Sequence, residues 1–318
     1  MKALVTGGAG FIGSHLVDRL LQVDQSVIAF DNFSTGKRRF LDNAQNNDRF
    51  ELVEGDLLNE CQIESAMQGV DFVWHLAANA DVRFGTDRPR QDLEQNTIAT
   101  ANVLEAMRKN YVEQIVFSST GSIYGEADVI PTPEGCPMPV QTSLYGASKL
   151  ACEGMISAYC EGFKMRAWIF RFVSILGERY SHGHIFDFYN KLRDDPKRLH
   201  ILGNGQQKKS YLYIHDCLDA MFTAVESATG SVNVLNLGTD EYVEVNDSVR
   251  VITQHLQLNP KRTYAGGERG WIGDNPFIFL DCERMRSLGW SPKYSIRDGI
   301  LATLDWLQAN HWVFEARQ

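Results

Sequence analysis

Two observations predict an α/β protein built on a doubly wound parallel sheet with a smaller C-terminal lobe. Short, almost wholly apolar runs recur through the first half of the chain with helix-periodic segments between them, and a glycine-rich stretch joins the first run to the first helix. The runs cover residues 3–5, 27–30, 50–53, 72–75 and 114–117. Continuous apolar character suits strands covered on both faces, as in a parallel sheet. Between the runs, Ile12, Leu16 and Leu20 recur every fourth residue, and Ile98, Ala101, Leu104, Glu105 and Arg108 form a second amphipathic segment. Parallel neighbours need crossovers, and right-handed helical crossovers place helices on the sheet's faces.

The alternation loosens after residue 172. Glycine-rich turns at 203–205 and 266–267, a strand at 232–237 and helices near 216–226 and 245–256 follow. This divides the chain into a dinucleotide-binding domain, residues 1–172, and a ligand-binding lobe, residues 173–318, with some interleaving expected. No internal repeat or low-complexity tract is present.

Composition excludes several functions. The 318 residues carry 31 basic and 40 acidic side chains, a formal charge of −9, and 44 % are apolar. That balance suits a globular protein and opposes one that grips nucleic acid phosphates through clustered cations. Every apolar run is far shorter than the roughly 20 residues that span a bilayer, and the N-terminus lacks the core of a signal peptide, so a cytoplasmic protein without membrane partners is expected. Six scattered cysteines form no C-x-x-C pair and read as free thiols. His182 and His184 have no further ligand at metal-binding spacing, and no metal is expected.

The glycine stretch is Thr6-Gly7-Gly8-Ala9-Gly10-Phe11-Ile12-Gly13. Between a strand and a helix, Gly7, Gly10 and Gly13 let the backbone approach a pyrophosphate, which then rests on the amides of Phe11 and Ile12 at the positive end of the helix. The second run ends in Asp31, followed by Asn32, 18 residues after Gly13. An acidic side chain at that distance meets the ribose hydroxyls of NAD and repels the 2′-phosphate of NADP, which makes NAD the expected cofactor. The basic cluster at 37–39 reads as a solvated loop. Later strand ends supply Asp56 and Leu57 beside the adenine, and Leu76, Ala77 and Ala78 beneath the pyrophosphate and ribose.

Tyr145 and Lys149 stand one helical turn apart in Tyr145-Gly146-Ala147-Ser148-Lys149. A tyrosine with a pKa near 10 becomes a usable base when a neighbouring ammonium and an oxidised nicotinamide stabilise its phenolate. The run at 114–117 is followed by Ser118, Ser119 and Thr120, hydroxyls at the carboxyl edge where such sheets bind ligands.

Taken together, Thr6–Gly13, Asp31, Asp56, His75-Leu76-Ala77-Ala78, Asn96, Phe117–Thr120, Tyr124-Gly125 and Tyr145–Lys149 resemble the extended short-chain dehydrogenase/reductase family, most closely its UDP-glucose 4-epimerase branch. The resemblance implies that bound NAD oxidises C4 of a nucleotide sugar and returns the hydride to the opposite face. It implies Tyr145 as base, Lys149 as its electrostatic partner and ribose ligand, Thr120 on the sugar O4, Asn96 supporting the cofactor pocket and Ser118 beside the nicotinamide. Dehydratases and decarboxylases of the family carry carboxylates just after the threonine, where this chain has Gly121 and Ser122, so elimination lacks its acid and base. Ser174 stands where the family has an Asn near the diphosphate, and Lys209 where it has an Arg, which exchanges a bidentate fork for a point charge. His184 near a phosphate and Arg269, displaced by two positions from the family's second Arg, complete the implied substrate contacts, while Arg83, in the loop after Ala77 and Ala78, reads equally as a phosphate or carboxylate contact or as a surface arginine. A homodimer is implied as well. Epimerisation of UDP-glucose and UDP-galactose leads. UDP-glucuronate or a UDP-N-acetylhexosamine as substrate, and a silent NAD-sensing module, stay open on the residues alone.

Overall fold

The computed structural model describes residues 1–79, 85, 87–138, 140–271, 274–275 and 277–315. Residue contacts sort the chain into two units. The first comprises Met1–Gly125, Met138–Arg171 and Ala224–Leu235, the second Glu126–Pro137, Phe172–Thr223 and Asn236–Gln318. The division near residue 172 is therefore one of several exchange points, and two short segments go with the half opposite to their place in the chain.

The leading elements are β1 (Lys2–Thr6), α1 (Phe11–Gln22), β2 (Ser26–Asp31), β3 (Phe50–Glu54), α2 (Glu60–Ala66), β4 (Phe72–His75), α3 (Pro89–Asp92), α4 (Ala99–Lys109), β5 (Gln114–Thr120), α5 (Leu144–Phe163) and β6 (Arg166–Phe172). There follow β7 (Ser174–Leu176), α6 (His184–Asp194), β8 (Arg198–Ile201), β9 (Lys208–Lys209), β10 (Tyr211–Tyr213), α7 (Ile214–Ser227), β11 (Val232–Leu237), β12 (Val243–Glu244), α8 (Val245–His255), β13 (Lys261–Tyr264), β14 (Phe277–Ile278), α9 (Glu283–Ser287) and α10 (Ile296–Ala309).

The seven-stranded sheet runs in the order β11-β6-β5-β4-β1-β2-β3, with parallel ladders joining β3, β2, β1, β4 and β5 in turn. This is the doubly wound, Rossmann-type order, which reverses between β1 and β4 and opens a crevice at the strands' carboxyl ends. Alternate strand residues explain the core. Leu4, Ile28, Val73, Ile115 and Ile169 pack with Ile63 of α2, Val103, Leu104 and Met107 of α4, and Cys152 and Ile156 of α5.

Three local features position the site. β5 continues through Ser118 and Ser119 to Thr120, so the hydroxyl cluster is the end of a buried strand rather than a loop behind it. Residues Leu93–Ile98 form a π-helical turn ahead of α4 that carries Asn96 inward, a geometry that recurs at functional sites. α5 begins at Ser143, whose side chain accepts a 3.0 Å hydrogen bond from the Gly146 amide, so Tyr145 lies in the first turn.

In the second unit, β12, β9 and β14 form a three-stranded sheet, and β10 pairs with β7 and β13 with β8. Among the described residues, no helix is long and apolar enough to cross a membrane. No cluster of three or more His, Cys, Asp or Glu suited to a metal occurs among them either.

Candidate active site

The glycine turn is built by exclusion of side chains. Gly7 has φ +69°, a region that favours glycine, and a Cβ there would lie 2.8 Å from the Ala77 nitrogen. A Cβ on Gly13 would lie 2.1 Å from the Gly7 carbonyl oxygen, so α1 packs on the turn only because that atom is missing. Gly10 is the N-cap of α1 and makes no side-chain cap. The amides of Phe11 and Ile12 thus sit at a positive helix end suited to a phosphate.

Asp31 lies at the end of β2 and is 7 % exposed. One carboxylate oxygen accepts from the Ala9 amide at 2.9 Å and the other from the Phe33 amide at 2.8 Å. Burial raises its pKa, and these two amides pull it back. Each oxygen retains acceptor capacity for a ribose hydroxyl. Asn32 donates to Asp56 at 3.3 Å, Asp56 accepts from the Leu58 amide at 2.9 Å, and the Leu57 carbonyl accepts from Asn102 at 2.8 Å. The end of β3 is thereby tied to β2 on one side and α4 on the other.

At the end of β4, a buried His75 bridges Thr6 Oγ1 at 2.7 Å and Thr100 Oγ1 at 2.9 Å. Burial, reinforced by Lys149, holds its pKa at about 3, so the imidazole is neutral. The Ala77 amide donates to Thr6 Oγ1 at 3.3 Å, and the Leu76 amide to the Thr6 carbonyl at 3.2 Å. These bonds seat Leu76, Ala77 and Ala78 against the glycine turn. Arg83 lies outside the described residues.

Asn96 Oδ1 accepts from the Asn79 amide and its Nδ2 donates to Ser148 Oγ, each at 2.9 Å. Ser148 in turn donates to the Tyr145 carbonyl at 2.8 Å. Asn96 therefore orients the first turn of α5, one step removed from the phenol.

Three consecutive residues of β5 are held by one face of α5. Lys149 Nζ donates to the Ser118 carbonyl at 2.7 Å, Ser119 Oγ donates to Glu153, and the Tyr145 hydroxyl is hydrogen-bonded to Thr120. Ser118 Oγ donates to the His75 carbonyl at 3.4 Å. Thr120 Oγ1 also accepts from the Ser122 amide at 3.1 Å, which fixes the start of the 3₁₀ turn Gly121–Tyr124.

Burial pushes the Tyr145 phenol up to about 12, with the Thr120 hydrogen bond pulling the other way. The Lys149 ammonium is engaged by a carbonyl and lies 4.6 Å from the Phe117 ring centre, and burial holds its own pKa near 8.

The second unit arranges the remaining candidates. Lys209 Nζ donates to Asp274 and to the Asn275 carbonyl, both at 2.7 Å, and stands 5.7 Å from the Trp271 ring centre. Arg269 pairs with Glu126. The cations expected for a diphosphate are thus each matched to a carboxylate of the same unit. Burial, then the nearby Lys209, keep His184 neutral with a pKa of about 3, and its ring meets Phe188 edge-on and lies 5.9 Å from that of Tyr211. Ser174 is exposed at the first position of β7.

Residues 3–238 match the family model described as NAD dependent epimerase/dehydratase family. The chain belongs to that NAD-dependent family. It is 37 % identical to a UDP-galactose 4-epimerase of known crystal structure, with a TM-score of 0.88, over 98 % of this chain and all of the other. A Methanocaldococcus jannaschii protein provisionally named UDP-glucose 4-epimerase is 32 % identical over 97 % of this chain and 99 % of its own. The Bacillus cereus UDP-glucuronic acid 4-epimerase, solved with UDP-glucuronic acid and NAD, is 28 % identical with a TM-score of 0.89, covering 97 % of this chain and 99 % of that one. These members of the epimerase/dehydratase family act on UDP-sugars by name.

Membership in an NAD-dependent family agrees with the glycine turn, which a Cβ at Gly7 or Gly13 would fill. Thr100, Asn79 and Glu153 join the site without having been expected there, and so does Asp92, which accepts from the Asn79 side chain at 2.8 Å. Only Glu153 carried a signal, since it stands two turns beyond Tyr145 on the helix face already singled out. The others are brought in by strand register and the π turn, which leave no local pattern.

Proposed function

We propose that the protein is a nucleotide-sugar 4-epimerase that interconverts UDP-glucose and UDP-galactose. The observation that carries this reading is the convergence of Thr120, Tyr145 and Lys149 where β5 meets α5. When bound, NAD supplies a hydride acceptor and, once reduced, a hydride donor. Gly7, Gly10 and Gly13 would clear space for its pyrophosphate, Asp31 would take the ribose hydroxyls, and Ala77 and Ala78 would lie beneath the phosphates.

Tyr145 takes the proton of the sugar C4 hydroxyl as that carbon is oxidised to a ketone, and gives it back after the sugar has turned its other face. Thr120, already bonded to the phenol, holds O4 in line. Lys149 lowers the cost of the phenolate as an oxidised nicotinamide adds its positive charge. Gly121 and Ser122 place no carboxylate beside C5, which disfavours elimination. Ser174, His184, Lys209 and Arg269 are the proposed contacts of the UDP moiety, with Lys209 sharing its charge between ligand and Asp274.

The test is a panel of UDP-, GDP-, CDP- and dTDP-sugars, including UDP-glucuronate and UDP-N-acetylglucosamine, with products resolved by NMR. Inversion at C4 of UDP-glucose without net NADH release is expected. Tyr145→Phe should cut turnover by about 100-fold or more while NAD stays bound. Net accumulation of NADH, or an unimpaired Tyr145→Phe enzyme, would overturn the proposal.

A further inference from the structure

A buried ion pair behind the catalytic trio has no part in the chemistry above. Glu153 accepts from Arg171 Nε at 3.1 Å and from Arg171 Nη2 at 2.8 Å, and both side chains are less than a tenth exposed. The pair is not isolated. Ser119, beside Thr120, donates to Glu153, and Arg171 Nη1 donates at 2.7 Å to the hydroxyl of Tyr124, which ends the 3₁₀ turn beginning just after Thr120. Glu153 lies on α5 eight residues beyond Tyr145, and Arg171 lies on β6. One ion pair thus ties the helix that carries Tyr145 and Lys149 to the strand and turn on either side of Thr120.

Stability gives a weak reason for such a pair. Desolvating two charges costs several kcal/mol, and apolar residues of similar volume are often as stable or more so. Geometry gives a stronger one. A hydroxyl displaced by about 1 Å from its productive position costs on the order of 100-fold in rate, and this one pair of side chains holds both Ser119, just before Thr120, and Tyr124, at the end of the turn that follows it.

We propose that Glu153 and Arg171 are positioning residues for the proton-transfer site: they set β5 and the turn after it against α5, so that Thr120 meets Tyr145 and Lys149 meets Ser118. This rests on the epimerase reading for its kinetic consequence, though not for its structural one. Glu153 has a second effect. Facing Lys149 are Cys152, Glu153 and Tyr145 from its own helix, Asp92 from α3 and His75 from β4. Of these, Cys152, Glu153 and Asp92 raise the lysine's pKa against the larger, lowering effect of burial. Removing the Glu153 charge lets Lys149 lose its proton at lower pH.

The experiment compares full-length protein carrying Glu153→Gln, Arg171→Lys and the double change Glu153→Met with Arg171→Met, which replaces the pair by apolar side chains and should fold. For the UDP-sugar that the unaltered protein turns over, Glu153→Gln and the double variant should lose about 100-fold in kcat with KM within about threefold, and Arg171→Lys should retain more activity than either. A Lys149 titration is read separately by 13C NMR of labelled lysine, assigned with Lys149→Met. Its midpoint should fall by about one pH unit in Glu153→Gln. A double variant with full kcat, or a Lys149 midpoint unchanged in Glu153→Gln, would overturn the proposal. If the unaltered protein turns over no UDP-sugar, the epimerase reading fails alone. The lysine titration and a crystal structure of the double variant then decide the matter, with Thr120 still bonded to Tyr145 counting against it.

Discussion

At the scale of single residues, burial outweighs the local sequence pattern. The Tyr145 and Lys149 spacing was legible in the chain, but the burial that raises the phenol's pKa and lowers the ammonium's was not, because desolvation depends on β5, β4 and α5 closing around the pair. The same effect makes His75 a source of acid sensitivity. Its folded pKa is held at about 3 by burial and by Lys149, whereas an unfolded imidazole titrates near 6.5. Between those values the unfolded chain binds the extra proton, so this contribution is complete above pH 6.5 and is lost as pH falls toward 3. The slope is at most about 1.4 kcal/mol per pH unit, and His184 adds to it in the same direction. Melting temperature should therefore drop between pH 7 and 5, and His75→Gln should flatten part of that drop when the two proteins are compared by calorimetry.

Elements show which glycines matter. Gly13 and Gly154 both lie in helices, yet their surroundings differ completely. A Cβ on Gly13 would overlap the Gly7 carbonyl, while one on Gly154 would meet nothing within 4 Å. Gly13→Ala should push α1 off the turn, lower the melting temperature and abolish retention of NAD, measured by releasing the cofactor from purified protein. Gly154→Ala should instead stabilise by about 0.5–1 kcal/mol through helix propensity, with NAD content unchanged. Equal behaviour of the two variants would contradict the packing described. The repeating glycines were visible beforehand because this turn needs bare backbone at fixed intervals. The π turn holding Asn96 was not, since its residues fit an ordinary helical period equally well.

For the whole molecule, chain order and spatial order diverge. β11 joins the central sheet beside β6 although more than fifty residues separate the two. A fragment of residues 1–172 would leave the β6 edge bare and lack residues 224–235 of the first unit. Such a fragment is expected to aggregate or remain partly unfolded and to retain no NAD, as judged by light scattering and amide proton NMR. A monomeric, NAD-binding fragment would show that the sheet tolerates the loss.

The sequence by itself determined the parallel sheet, the glycine turn and the helix face bearing Tyr145 and Lys149, because each depends on residues close in the chain whose spacing follows helix or strand geometry. Tertiary structure alone decided that Thr120 is bonded to the phenol, that Lys149 donates to the Ser118 carbonyl, that Glu153 and Arg171 join α5 to β6, and that Lys209 is shared with Asp274. Those facts arise where strands and helices distant in the chain meet, and there the balance of burial against partner charge is set by packing that no local pattern encodes.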